Sequence, residues 1–371
     1  MRVTRTGTPD APLASIIIVA WRLVDELREC LDSLQASLDA PRYEVIVVLN
    51  GASEEIAAVA KRHPIGSRVV VRHANIGFGA ACNLAAAVAR GTYLVFLNDD
   101  TRVDAYWLRT LTEAAAGHEA VASLLLNYDG TVQEAGSRLL SHGGTLQLGK
   151  GMELDEAREA GFAVARPIDY GSAAALLMRK SAFDRLGGFD ALFEPAYFED
   201  VDLQLRLRET GAEVWLEPDA KVLHHSGRST NSDHWFRQFA ANRSGHRFIE
   251  RWPEVLATAP AADDPASALC TVPLRKGSVP NYVPADPRVD DSRAQALTIA
   301  HDYEAWLTTQ LDQLSEYHAE ISTNPNAPTR RELLDQVRTL GDRVKDLEKR
   351  GPWGVLKMNI GVWLTGRRDD R

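Results

Sequence analysis

Residues 93–101, YLVFLNDDT, decide the fold: five apolar residues run without interruption into Asn98, Asp99 and Asp100. A short, continuously apolar run rich in β-branched and aromatic residues reads as a strand covered on both faces. Working outward, residues 15–20 (SIIIVA), 43–49 (YEVIVVL) and 68–72 (RVVVR) read the same way. The stretches between them are helical. Leu23, Leu27, Leu31, Leu34 and Leu38 form one stripe, residues 54–62 a short helix, and residues 79–89 an Ala-rich one. Strand and helix alternating four times in about a hundred residues predicts an α/β fold with a mostly parallel central sheet and helices on both faces.

The 371 residues, 45% hydrophobic and 25% charged, carry a net charge of −9, so a general nucleic-acid-binding footprint is excluded. Three scattered cysteines, Cys30, Cys82 and Cys270, build neither a disulfide framework nor a zinc knuckle, which points to a reducing, cytoplasmic setting. The first dozen residues lack the apolar core of a signal peptide, and no apolar run reaches the ~20 residues a spanning helix needs.

Residues 121–161, rich in Gly and Ser, read as loops and hairpins around a site, and residues 171–179 as a further strand. Residues 180–186 and 198–210 read as helices, and residues 213–216 and 221–223 as two last short strands. Three divisions follow: an α/β domain over 1–258, a Pro/Ala/Asp-rich linker or arm over 259–291, and a helical region over 292–371. Tyr303, Leu307, Leu314, Tyr317 and Ile321 make one helical stripe there. Leu333, Val337, Leu340, Val344 and Leu347 make a heptad seam, either a hairpin packed on its own domain or a contact between copies in a homo-oligomer. Residues 330–371 hold 11 Lys/Arg against 7 Asp/Glu, and Trp353 and Trp363 sit in the tail, so 351–371 suits a peripheral helix at the inner membrane face or aromatics docked on the protein.

In an open parallel sheet, ligands collect beyond the carboxyl ends of the strands. Ala20-Trp21, Asn50-Gly51, Asn75–Gly79 and Asn98-Asp99-Asp100 all stand at such ends. Adjacent carboxylates after a buried strand either cap the next helix or hold a cation such as Mg²⁺. Glu199, Asp200 and Asp202 open a helix, where the dipole favours them and where one could also serve as a general base. His224, after a late strand, is a structural imidazole, a metal ligand or a phosphate donor. No GxxxxGK[ST] occurs, and residues 77–82 fall one residue short of GxGxxG.

Seven stretches together resemble the inverting family-two nucleotide-sugar glycosyltransferases of GT-A fold, and within them the bacterial rhamnosyltransferase-like branch. They are SIIIVAWR (15–22), EVIVVLNGAS (44–53), NIGFGAACN (75–83), YLVFLNDDT (93–101), GSAAALLMRKSAFDRLGGFD (171–190), YFEDVDLQLRLRETG (197–211) and VLHHSGRST (222–230). The resemblance covers about two-thirds of the chain. It implies that Val19, Ala20, Trp21, Asn50, Asn75, Gly79, Asn83, Asn98 and Asp99 bind the nucleotide, with Leu49 standing where the family usually has Asp. It implies further that Asp100 and His224 bind Mg²⁺ or Mn²⁺, that Gly171 and Glu199 face the acceptor, and that Asp200 is the base. The implied partners are a nucleoside-diphosphate sugar, with rhamnose favoured, and a cell-envelope or lipid-linked glycan. Hexosyl or N-acetylhexosaminyl transfer is the alternative within the fold, and a catalytically silent nucleotide-sugar-binding scaffold the alternative outside it.

Overall fold

A computed structural model of the chain describes residues 11–225, 234–261, 269–274 and 292–321, with 335 and 339. The order begins β1 Ala14–Ala20, α1 Val24–Gln35, β2 Tyr43–Asn50, α2 Glu54–Arg62, β3 Arg68–Arg72, α3 Phe78–Val88 and β4 Tyr93–Asn98. Then come β5 Thr101–Val103, α4 Trp107–Ala114, β6 Ala120–Leu126, β7 Val132–Glu134, β8 Ser137–Leu139, β9 Thr145–Gln147, α5 Leu154–Glu159 and β10 Arg166–Ile168. The remainder is β11 Ala175–Arg179, α6 Lys180–Leu186, α7 Glu199–Glu209, β12 Val214–His224, α8 His234–Arg251, α9 Pro253–Leu256 and α10 Ser292–Ile321.

One sheet runs β10-β12-β6-β11-β4-β1-β2-β3, with β5 on β12 and β7 on β6. The four early strands are parallel, as expected. Beyond β4 the sheet is mixed, because β11 runs antiparallel to both β4 and β6. Strand alternation sorts the core. Ile16, Ile18, Val45 and Val47 face α1, α2 and α4, while Ile17, Ile46 and Val48 face α3 and α7. Small residues of α3 (Gly79, Ala81, Cys82, Ala85 and Ala86) are buried and let that helix lie close on the strands.

Three local expectations are corrected. Residues 121–161 do not begin as loops, because β6 is buried throughout and sits inside the sheet. The two late strands are one, β12, which keeps its pairing with β6 across a register shift between Glu217 and Lys221. Asp99 and Asp100 cap no helix: Thr101 continues into β5, and α4 starts only at Trp107. The C-terminal stripe is real over its described part. Tyr303 and Leu307 of α10 are fully buried against Phe236 and Phe239 of α8. Ala259 and Val272 of the Pro-rich arm are buried beside Phe248 and Trp252. The heptad seam and the 351–371 tail lie outside the described residues, and among those described no helix is long and apolar enough to cross a membrane.

Candidate active site

Parallel register brings the carboxyl ends together: Val19 lies abreast of Asn98, and Ala20 abreast of Leu49. On the other side β5 delivers Thr101 opposite His224 of β12, so the imidazole reaches the acidic pair. His224 Nε2 is 3.2 Å from Asp100 Oδ1 and 3.3 Å from Asn98 Nδ2. Its Nδ1 is 2.7 Å from Gln133 Oε1. Asp99 is buried; its Oδ2 has no hydrogen-bond partner, and burial, then the neighbouring Asp100, hold its carboxyl well above the usual range.

The second acidic group is mounted on the first turn of α7. Tyr197 and Phe198 precede it with positive φ angles of 75° and 67°, a conformation costly for residues bearing a Cβ. The turn aims Asp200 at a backbone shelf. Its Oδ2 accepts from Ala173 N–H at 3.1 Å and its Oδ1 from Val201 N–H at 2.9 Å. Burial raises its carboxyl, while these amides pull the other way. Glu199 beside it is pushed up to about 8 by burial and by Asp200, and its Oε2 has no partner.

The shelf is fixed by three side chains. Gln204 grips Gly171 at both ends, accepting from its N–H at 2.9 Å and donating to its C=O at 2.6 Å. A Cβ on residue 171 would lie 2.3 Å from Ala122 Cβ, so only glycine fits. Glu134 of β7 accepts from Ser172 N–H at 2.8 Å, next to the amide that Asp200 holds. Glu134 is 3% exposed, and burial, with Asp200 adding, pushes it up to about 7.

Asn98, Asp100, His224, Glu134, Glu199 and Asp200 all line one cavity of about 740 Å³. None of the other sequence-predicted residues is among those that line it. Asn50 Nδ2 donates to Asn75 Oδ1 at 2.8 Å, and both side chains bond the Ile76-Gly77 backbone, which shapes the loop before α3. A Cβ on Gly79 would lie 3.0 Å from Phe189 Cβ and 3.8 Å from Glu199 Cγ, so it backs the acidic turn. Asn83 bonds both the N–H and the C=O of Phe189, at 2.9 and 2.8 Å, and is spent on that clamp. Trp21, at the end of β1, is buried with the Arg22 guanidinium 3.7 Å over its ring. Sequence reasoning missed Gln133, Glu134 and Gln204. Its available signal was a pair of polar residues, QE, inside the short apolar-flanked segment after the Asp129-Gly130 turn.

A divalent cation fits this donor set. Gln133 Nε2 donates to two oxygens, His224 O and Asn127 Oδ1, each at 3.0 Å, so its Oε1 faces Nδ1 and that nitrogen must carry the proton. Nε2 then faces Asp100 Oδ1 at 3.2 Å and the Asn98 amide at 3.3 Å, a position where a cation shared with Asp100 would be held. Among the described residues no group of three or more His, Cys, Asp or Glu side chains surrounds a metal position. Asp100 and His224 would supply two ligands, leaving the rest to substrate oxygens and water, as is usual for Mg²⁺ beside a diphosphate.

Residues 15–187 match the family described as Glycosyl transferase family 2. The chain is 31% identical over 237 residues to O-antigen biosynthesis protein RfbC of Myxococcus xanthus, covering 60% of this chain and 18% of that protein. It is 27% identical over 259 residues to N-acetylglucosaminyl-diphospho-decaprenol L-rhamnosyltransferase of Mycobacterium tuberculosis, covering 63% of this chain and 83% of the relative. The chain thus spans under a fifth of the first of these relatives. Among solved structures, GalNAc-T7 with UDP, GalNAc and Mn²⁺ shares the fold, with a TM-score of 0.52 at 13% identity over 68% of this chain and 50% of that one. The fold is GT-A.

Proposed function

From a chain that carries a glycosyl transferase family 2 domain, we propose an inverting transfer of a sugar from a nucleoside diphosphate to an acceptor hydroxyl in the 740 Å³ cavity. The observation carrying this reading is that the Asp100–His224 pair and Asp200, which lies 100 residues after Asp100 in sequence, line the same cavity. Asp100 and His224 would hold Mg²⁺ or Mn²⁺, which would supply positive charge against the departing diphosphate. The chain's own residues do the rest. The β1 end and the Asn50–Asn75 loop shape the wall for the nucleotide, with Val19, Ala20, Trp21, Gly79, Asn98 and Asp99 around it.

Asp200 accepts the acceptor's proton. Its oxygens are held by backbone amides rather than by a guanidinium, and burial raises its affinity for a proton, both of which suit a base. As the hydroxyl oxygen attacks C1 from the face opposite the diphosphate, the C1–O bond to phosphate breaks and the anomeric centre inverts. Glu199 and the Gly171–Ala173 shelf orient the acceptor, so much of the acceleration comes from placement. A rhamnosyl donor and a cell-envelope or lipid-linked glycan acceptor are supported by the names of the two relatives. The enzyme works in the cytoplasm, with the 351–371 tail touching the inner face of the membrane; the two tryptophans and excess of bases at that end support this.

The test measures nucleotide release from a panel of dTDP-, UDP- and GDP-sugars with Mn²⁺, wild type beside Asp200→Asn. Turnover should fall by about 10²–10⁴, the usual worth of a general base, while donor binding by calorimetry persists. Equal rates would remove Asp200 from the base role.

A further inference from the structure

We propose that Gln133 is the positioning residue that dictates which nitrogen of His224 is presented to Asp100, and thereby tunes the cation affinity of the site. The proposal rests on the cation reading above and adds a residue to it. Three contacts fix the carboxamide. Its Nε2 lies 3.0 Å from His224 O and 3.0 Å from Asn127 Oδ1, neither of which can donate. Asn127 is itself anchored, its Nδ2 donating to Thr131 Oγ1 at 2.9 Å. A flipped carboxamide would set oxygen against oxygen twice, so the amide cannot turn over without losing both bonds. The oxygen of Gln133 therefore faces Nδ1 at 2.7 Å, and only a proton on Nδ1 makes that contact favourable.

Gln133 is 6% exposed and His224 8%, so water does not substitute readily for this pairing. One side chain thus holds both the ring, through Nδ1, and the backbone carbonyl of the same histidine. The ring is left with Nε2 as its ligating atom, directed at Asp100. Groups of this kind behind a metal-bound histidine typically change metal affinity 10–100-fold when removed. The strand that carries Gln133 also carries Glu134, which bonds the shelf at Ser172, so β7 serves the cation end and the acceptor end with successive residues.

The experiment compares wild type, Gln133→Leu and Gln133→Glu as full chains, each checked for cooperative melting. Mn²⁺ binding is read by the electron paramagnetic resonance signal of the free ion, with UDP or dTDP present. Leu should weaken binding 10–100-fold, whereas Glu, which keeps an acceptor for Nδ1–H but sets its other oxygen against His224 O and Asn127 Oδ1, should lose less than Leu. If wild type binds and Leu binds equally well, the proposal is wrong and the cation reading stands. If wild type binds no Mn²⁺, the cation reading fails. The affinity half of the proposal falls with it, and the tautomer half is decided by ¹⁵N-histidine correlation spectra in mildly alkaline buffer, with His224 assigned by its loss in His224→Gln. Nδ1–H in wild type and Nε2–H in Gln133→Leu supports it; Nε2–H in wild type overturns it.

Discussion

Replacing Glu134 by Gln should stabilise the protein above neutral pH and leave it nearly unchanged in mild acid, and the structure sets the size of the effect. Glu134 is 3% exposed, with a strong hydrogen bond from Ser172 N–H at 2.8 Å and a long contact of 3.5 Å from Gln147. Among the described residues no Lys or Arg pairs with it. Burial, with Asp200 adding, moves its carboxyl from 4.5 to about 7. The native chain therefore keeps a proton that the unfolded chain has already released. Over that interval the folded state binds more protons, so stability falls as pH rises, and the loss is complete once pH passes about 8. At ~1.4 kcal/mol per decade the gap is worth about 3 kcal/mol. Gln does not titrate and removes this cost, keeps an oxygen for Ser172 N–H, and forgoes about 1 kcal/mol of charge-assisted bonding. Near pH 8 the variant should therefore be more stable by about 2 kcal/mol, a rise in Tm of roughly 4 °C. Near pH 5, where native Glu134 is protonated and has no charge-assisted bond to lose, the two should be about equally stable. Scanning calorimetry across that range reads the growing difference. A Tm difference independent of pH would refute the argument, because it would mean that Glu134 is not carrying a displaced proton.

Three other outcomes follow from the same geometry. Asn83→Ala leaves Phe189 N–H and C=O without their partners and should cost about 1–3 kcal/mol in thermal melts while donor affinity by calorimetry stays unchanged; a weakened donor would return Asn83 to the nucleotide pocket. The base must be ionised to work, and burial raises Asp200, so kcat/KM should climb with pH along a limb centred above the ordinary aspartate value of about 3.9; a midpoint at or below that value contradicts a buried base. A chain shortened to end at Arg350 should stay in the supernatant with anionic liposomes while the full chain sediments; equal partitioning would mean that the tail does not touch lipid.

Much of the fold was legible because burial on both faces leaves its mark on single strands. The runs at 15–20, 43–49 and 93–97 read as strands, and α2 and β3 match their predicted bounds residue for residue. What failed was pairing, which no local pattern encodes. Nothing within ALLMR says that β11 runs antiparallel between β4 and β6. Residues 121–161 hold the expected hairpin, β8–β9, and line the site as expected, through Glu134, Thr145 and Gln147 among others, but the strands β6 and β7 escaped for another reason. Gly130, Gly136, Gly143, Gly149 and Gly151 all take positive φ, so glycines that only turn the chain between short strands gave the whole stretch the composition of a loop. Gln133 and Glu134 were lost with β7, since a three-residue strand shows no periodicity. Their meaning appears only when β12 brings His224 alongside and the shelf brings Ser172.

The acidic run at 199–202 shows how environment separates residues that composition leaves equivalent. Asp202 and Asp200 lie two positions apart on α7, so they point in different directions around the helix. Asp202 is fully buried, with Arg206 Nε at 2.8 Å, Arg251 Nε at 3.0 Å and Trp252 Nε1 at 3.1 Å. Two guanidiniums pair with that carboxylate, offset part of the rise that burial imposes on it and tie α7 to α8, and removing it would strand two buried cations. Asp200 takes only backbone N–H groups and opens on the cavity. A carboxylate neutralised by Arg is a poor base, whereas one oriented by amides in a desolvated wall keeps its appetite for a proton. The same logic extends to Glu134, held by an amide and destabilising when ionised.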